Sequence, residues 1–189
     1  MIHAIIFDMD GLLIDTEPYH TASWQRAARE MGYDMEMETA YQLRSLAGEF
    51  AGPMMKDIYG KDFHFEELHQ RKRKIMDELL ADSPIKEKRG AKELLGWLSS
   101  RGWKRAVATA TRQEKANEYL EACKRIGEKP ENCLALEDSP NGAWAGVRAG
   151  CKTIMVPDLT PVLPELKDKI WKEAADLLEV KQILGSLVS

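Results

Sequence analysis

The chain has 189 residues, 44% of them hydrophobic and 31% charged, which is enough apolar material for one core or for a core plus a small insert. Its formal charge of −4 gives no electrostatic ground for nucleic acid or an anionic membrane surface as the principal partner. No apolar run approaches the roughly 20 residues that span a bilayer, and the first one is too short for a signal peptide, so a cytoplasmic protein acting on a small molecule or another protein is expected, as a monomer or weak dimer.

In chain order, the apolar run Ala4–Phe7 (AIIF) has the length of a strand buried on both faces and leads directly into Asp8 and Asp10. From residue 18 to about 83 no strand pattern is visible. Helical spacing recurs instead, at Trp24, Ala27, Ala28 and Met31 and again at Ile75, Met76, Leu79 and Leu80. This reads as a helical insert with hinges near Asp15–Pro18 and Ser83–Lys88. The basic stretch LHQRKRKIMDE lies on one of these helices and reads as its solvated face. Ala91, Leu94, Leu95 and Leu98 predict a helix ending at Gly102, and the run at 106–108 (AVA) a second strand. A further helix covers Ala116, Tyr119, Leu120 and Cys123, and strands follow at 134–136 (LAL) and 153–156 (TIMV). Strand and helix alternate, which predicts a parallel sheet with helices packed on it. Cys123, Cys133 and Cys151 are odd in number and widely spaced, as buried reduced thiols would be.

In an open parallel sheet, ligands bind beyond the carboxyl ends of the strands. Three strands deliver polar groups there: Asp8 and Asp10; Thr109, Ala110 and Thr111; and Glu137, Asp138 and Ser139. Four converging carboxylates would raise one another's pKa unless a cation joined them, and all-oxygen ligation suits Mg²⁺. A calcium-binding loop starting at Asp8 fails on register, since it would want an oxygen ligand at Leu12, glycine at Leu13 and glutamate at Tyr19. Helix capping explains one aspartate at a strand–helix junction, but not acid pairs at two strand ends. Mg²⁺ beside an exposed carboxylate points to phosphoryl transfer, with Asp8 attacking phosphorus and Asp10 serving as general acid and then base. Thr109 and the backbone N–H of Ala110 would hold phosphate oxygens.

These residues resemble the haloacid dehalogenase-like hydrolase superfamily, in its β-phosphoglucomutase-like and sugar-phosphatase-like branch. DMDGLLIDTE is similar to the first motif of that family, VATAT to its Ser/Thr motif, and LEDSPNGAWAGVRAGC to its acidic motif and trailing helix. The resemblance implies a Rossmann-like α/β core at residues 1–16 and 87–189 with an inserted α-helical cap at 17–86. It makes Asp8 the nucleophile and a metal ligand, and Asp10 the acid/base and a ligand through its carbonyl. Thr109 and Ala110 would bind phosphate, while Glu137 and Asp138 complete a Mg²⁺ site. The implied activity is a phosphatase acting on a small phosphorylated metabolite such as a sugar phosphate, through an aspartyl-phosphate.

Two features depart from that pattern. Members of the branch carry a further edge strand and a Lys-Pro-x-Pro-Asp-like segment between the Ser/Thr and acidic motifs, whereas TRQEKANEYLEACKRIGEKPENC spans that distance in one helix's length. The lysine of that segment neutralises nucleophile and phosphate; Lys115, Lys124 and Lys129 are the local candidates to replace it, each also readable as a surface lysine. His20 resembles the position of a functional histidine in β-phosphoglucomutases, but the SLAGEFAGP stretch, read as a loop, offers Glu49 and not the arginine that mutases use for a second phosphate. Hydrolysis is therefore expected over mutase chemistry, with a catalytically weakened binding or regulatory module as the reading from another class.

Overall fold

The computed structural model describes residues 2, 4–45, 48–108 and 115–187. In chain order the elements are β1 (Ala4–Phe7), β2 (Ile14–Asp15), α1 (Glu17–Glu30), α2 (Met37–Ser45), α3 (Gly48–Tyr59), α4 (Phe65–Asp82) and β3 (Lys86–Glu87). They continue with α5 (Ala91–Ser100), β4 (Lys104–Val107), α6 (Lys115–Arg125), β5 (Cys133–Glu137), α7 (Pro140–Arg148), β6 (Lys152–Met155), α8 (Pro164–Lys167), β7 (Lys172–Glu173) and α9 (Leu177–Gly185). The chain divides into two compact units, residues 1–15 with 86–189 and residues 16–85.

The first unit is a parallel sheet in the order β4-β1-β5-β6-β7. Its central strand β1 is buried along its whole length, which is why the run reads as continuous apolar sequence rather than alternation. Successive side chains still go to opposite faces. Ile5, Phe7, Leu134, Leu136 and Ile154 join α5 and α9 through Leu94, Leu98, Leu177, Val180 and Leu184. Ala4, Ile6, Cys133 and Ala135 join α6 and α7 through Tyr119, Ala122, Cys123 and Ala145. One face is therefore built of large aliphatic groups and the other mostly of small ones. The small side lets α7 press close: a Cβ at Gly146 would lie 2.8 Å from Ala135 Cβ and from Thr153 Oγ1.

Sequence and structure differ at four strands. β4 occupies 104–107 rather than 106–108 and is not buried on both faces, because it is the sheet edge and Lys104, Arg105 and Val107 face solvent. β2 and β3 form a two-residue antiparallel ladder, and β7 pairs with β6 over two residues. Elements this short carry no hydrophobic period to detect.

The second unit packs α1 against α4 and α2, and α3 against α4. Trp24 stacks on Phe65 and His69, while Tyr33, Tyr59 and Phe63 form a second aromatic group. Residues 48–53, read above as part of a loop, belong to α3; Leu46 and Ala47 lie outside the described residues, as does the side chain of Glu49. On α4, Leu68, Lys72, Ile75 and Met76 are the buried positions, at the spacing of one helical face. Lys72, part of the basic stretch read as a solvated face, is instead buried.

The three cysteines are free and buried, with Cys123 Sγ 3.4 Å from Cys133 Sγ and 4.0 Å from Cys151 Sγ. Burial above all, with the Cys123 thiol alongside, pushes the Cys133 thiol up to about 12 and raises Cys151 as well. The thiolate is the reactive form. Ellman's reagent at pH 8 is therefore expected to find no reactive thiol in the native protein and three after denaturation in guanidinium; rapid native labelling would contradict this core.

Candidate active site

Register assembles the site. β1 and β5 run parallel with Phe7 opposite Leu136, and the Asp8 N–H donates to Leu136 O at 2.9 Å. The residues that follow, Asp8 on one strand and Glu137 and Asp138 on the other, are consequently brought side by side. One carboxylate oxygen from each lies within 4.8 Å of the other two, and all three residues are buried. Two glycines make the room. Gly11, at φ +82°, sits where a Cβ would collide with Asp138 Oδ2, and a Cβ at Gly142 would collide with the Glu137 carboxylate.

Buried carboxylates at this separation need compensating positive charge or donors. Three buried oxygen donors from two strand ends, in a space that a methyl group would fill, fit a small hard cation such as Mg²⁺.

Neighbouring groups hold Glu137 in place. Tyr119, on α6, donates its hydroxyl to Glu137 Oε1 at 2.6 Å. Burial, followed by the charge of Glu137 and the hydrogen bond to it, keeps the Tyr119 phenol well above its ordinary pKa, so it remains a neutral donor across the physiological range. On the other side the Glu137 carboxylate abuts the first turn of α7, where Ser139 caps the helix by accepting from the Gly142 N–H at 3.2 Å. The positive end of that helix favours an anion there.

The other sequence candidates are placed as follows. Asp10 is half-buried in the turn after β1, bridged to Ile14, and its carboxylate is outside the three-residue cluster. Thr109 and Ala110 lie outside the described residues, as does the side chain of Lys115. Lys124 is exposed and paired with Glu121 at 2.5 Å, and Lys129 is exposed. Among the described residues, then, neither of these two lysines has the burial of the acidic cluster.

His20 is on α1 in the helical unit, where Lys72 Nζ lies 2.9 Å from its Nδ1. An ammonium has only donors, so Nδ1 accepts and the imidazole carries its proton on Nε2. Lys72 also stands over the Trp24 ring, 5.5 Å from its centroid. Sequence reading missed both Lys72 and Tyr119. The signal for Lys72 was a cation at i+4 from Leu68 and i−3 from Ile75, on the apolar stripe rather than beside it.

The family model described as haloacid dehalogenase-like hydrolase matches residues 5–128. Protein YhcW of Bacillus subtilis is 31% identical over 186 residues, covering 84% of each chain. A protein of Thermotoga maritima named phosphorylated carbohydrates phosphatase is 27% identical over 186 residues, covering 81% of this chain and 84% of its own. The crystal structure of β-phosphoglucomutase from Clostridium difficile has the same fold, with a TM-score of 0.71 at 18% identity, covering 100% of this chain and 99% of that one.

Replacing Tyr119 with phenylalanine keeps the ring in the core and removes only the donor to Glu137. A hydrogen bond to a charged group contributes about 1.5–3 kcal/mol. Urea denaturation of metal-free Tyr119→Phe is expected to show a loss of that order. Because the folded phenol pKa is raised, the contribution is present below the ordinary value near 10 and is lost as pH rises toward the folded value, so the parent and variant curves should converge in strong alkali.

Proposed function

We propose, for a chain that belongs to the haloacid dehalogenase-like hydrolases, in their β-phosphoglucomutase-like and sugar-phosphatase-like branch, and is a phosphoric monoester hydrolase, that its substrate is a small sugar phosphate cleaved through an aspartyl-phosphate on Asp8. The observation that carries this reading is the buried cluster of Asp8, Glu137 and Asp138 at the carboxyl ends of β1 and β5. The Thermotoga relative supports the substrate class. A cytoplasmic location is part of the same proposal, and among the described residues no helix is long and apolar enough to cross a membrane.

In this reading Asp8, Glu137 and Asp138 hold Mg²⁺, with the Asp10 carbonyl as a further ligand. When bound, the ion neutralises the charge that keeps an anionic nucleophile from an anionic phosphate. Asp8 donates an oxygen lone pair to phosphorus as the ester P–O bond breaks, and Asp10 gives a proton to the departing sugar oxygen. Asp10, now a carboxylate, takes a proton from water, whose oxygen attacks phosphorus. Inorganic phosphate leaves and Asp8 is regenerated. Thr109 and the Ala110 N–H hold the phosphate oxygens. His20 is a substrate-binding residue in the same proposal.

With Mg²⁺ present, the protein is expected to release inorganic phosphate from members of a sugar-phosphate panel, and Asp8→Asn to lower that rate at least about 10³-fold. Chelation should stop release and added Mg²⁺ restore it. Equal rates from parent and variant would remove the enzyme reading. Isomerisation without phosphate release would make the protein a mutase, and calorimetric binding of sugar phosphates without turnover would make it a binding module.

His20→Ala removes one polar substrate contact of about 1.4 kcal/mol, a factor of about ten. Steady-state kinetics should show that factor mainly in KM; unchanged KM and kcat would take His20 out of the site.

A further inference from the structure

A fourth acid stands beside the cluster, used by neither the motifs nor the reaction above. Asp158 lies in the loop after β6, and its N–H donates to Asp138 O at 3.3 Å. Lys88, from the turn between β3 and α5, donates to Asp158 Oδ1 at 2.8 Å, and the two side chains are only 26% and 14% exposed. Asp158 Oδ2 is buried and finds no hydrogen-bond partner among the described residues. A Cβ built at Gly11 would meet Asp138 Oδ2 and lie 3.4 Å from Asp158 Oδ2, so both oxygens face the same small volume above Gly11.

A buried carboxylate oxygen without a donor is costly, and an occupant of that volume can supply the donor it calls for. Mg²⁺ keeps several of its waters when proteins bind it, and acceptors for those waters tune its affinity. We propose that Asp158, braced by Lys88, is a positioning residue that accepts a hydrogen bond from a water carried by the cation held on Asp8, Glu137 and Asp138. The inference rests on the metal-site reading above. Lys88 sets the polarity of the contact: with the ammonium on Oδ1, Oδ2 is left as the acceptor facing Asp138. In Asp158→Asn the amide oxygen stays with Lys88 and the NH₂ turns toward the cluster, which puts a donor where an acceptor is required.

The test is calorimetric titration of Mg²⁺ into the full-length, metal-free protein and into Asp158→Asn, Asp158→Glu and Asp138→Asn, with folding verified by circular dichroism. Asp158→Asn is expected to raise the Kd about 10- to 100-fold. Asp158→Glu keeps the charge but displaces the acceptor, so it should also weaken binding, and it carries the test should the asparagine variant fail to fold. Parent-like affinity in Asp158→Asn overturns the proposal. Parent-like affinity in Asp158→Glu alone overturns it too, since charge and not position would then be at work. Asp138→Asn separates the two levels: if it loses Mg²⁺ while both Asp158 variants bind normally, only this inference falls, and if it also binds like the parent, the metal site itself falls.

Discussion

The pairing of β1 with β5 is the constraint on which the rest of the molecule depends. Parallel strands in fixed register end together, so Phe7 opposite Leu136 determines that Asp8 meets Glu137 and Asp138. A slip of one residue would send each side chain to the other face of the sheet and disperse the carboxylates. Such slippage is opposed by burial, since alternate residues of both strands are committed to two differently built cores. The energy of apolar packing thus holds together charges that would otherwise repel.

The small-residue face serves the same end. Ala4 on β1 and Cys133 and Ala135 on β5 admit α6 and α7 close to the sheet, and these two helices supply what surrounds Glu137. α6 brings the Tyr119 hydroxyl, and α7 brings its first turn and the space left by Gly142. Larger groups on this face would hold both helices off and loosen the carboxylate. The opposite face, rich in leucine, contributes bulk.

Much of this was legible in the sequence because it rests on strong local patterns. Short apolar runs ending in acids predict both β1 and β5 and the chemistry at their ends, since continuous burial and a terminal carboxylate each leave a mark in one dimension. β4 was harder, as an edge strand shares its residues with solvent and Lys104 and Arg105 conceal it. Tyr119 was counted correctly as core, but a hydrophobic period registers the ring and is blind to the hydroxyl. Lys72 was hidden among surface lysines and arginines, although its spacing placed it on the apolar stripe. Asp158 could not be found at all: nothing near it in sequence resembles a site, and its relation to Asp138 and Lys88 exists only after the loop after β6 and the β3–α5 turn have folded together.

The exposed margin at β4 has its own consequence. A strand with one side of its ladder unpaired is a template for docking another chain, and Val107 is 49% accessible there. Lys104 and Arg105 occupy the same strand, with Lys104 tied to Glu128. Among the described residues no further strand pairs with this edge, and like gatekeepers the two side chains burden any incoming strand with the desolvation of two cations.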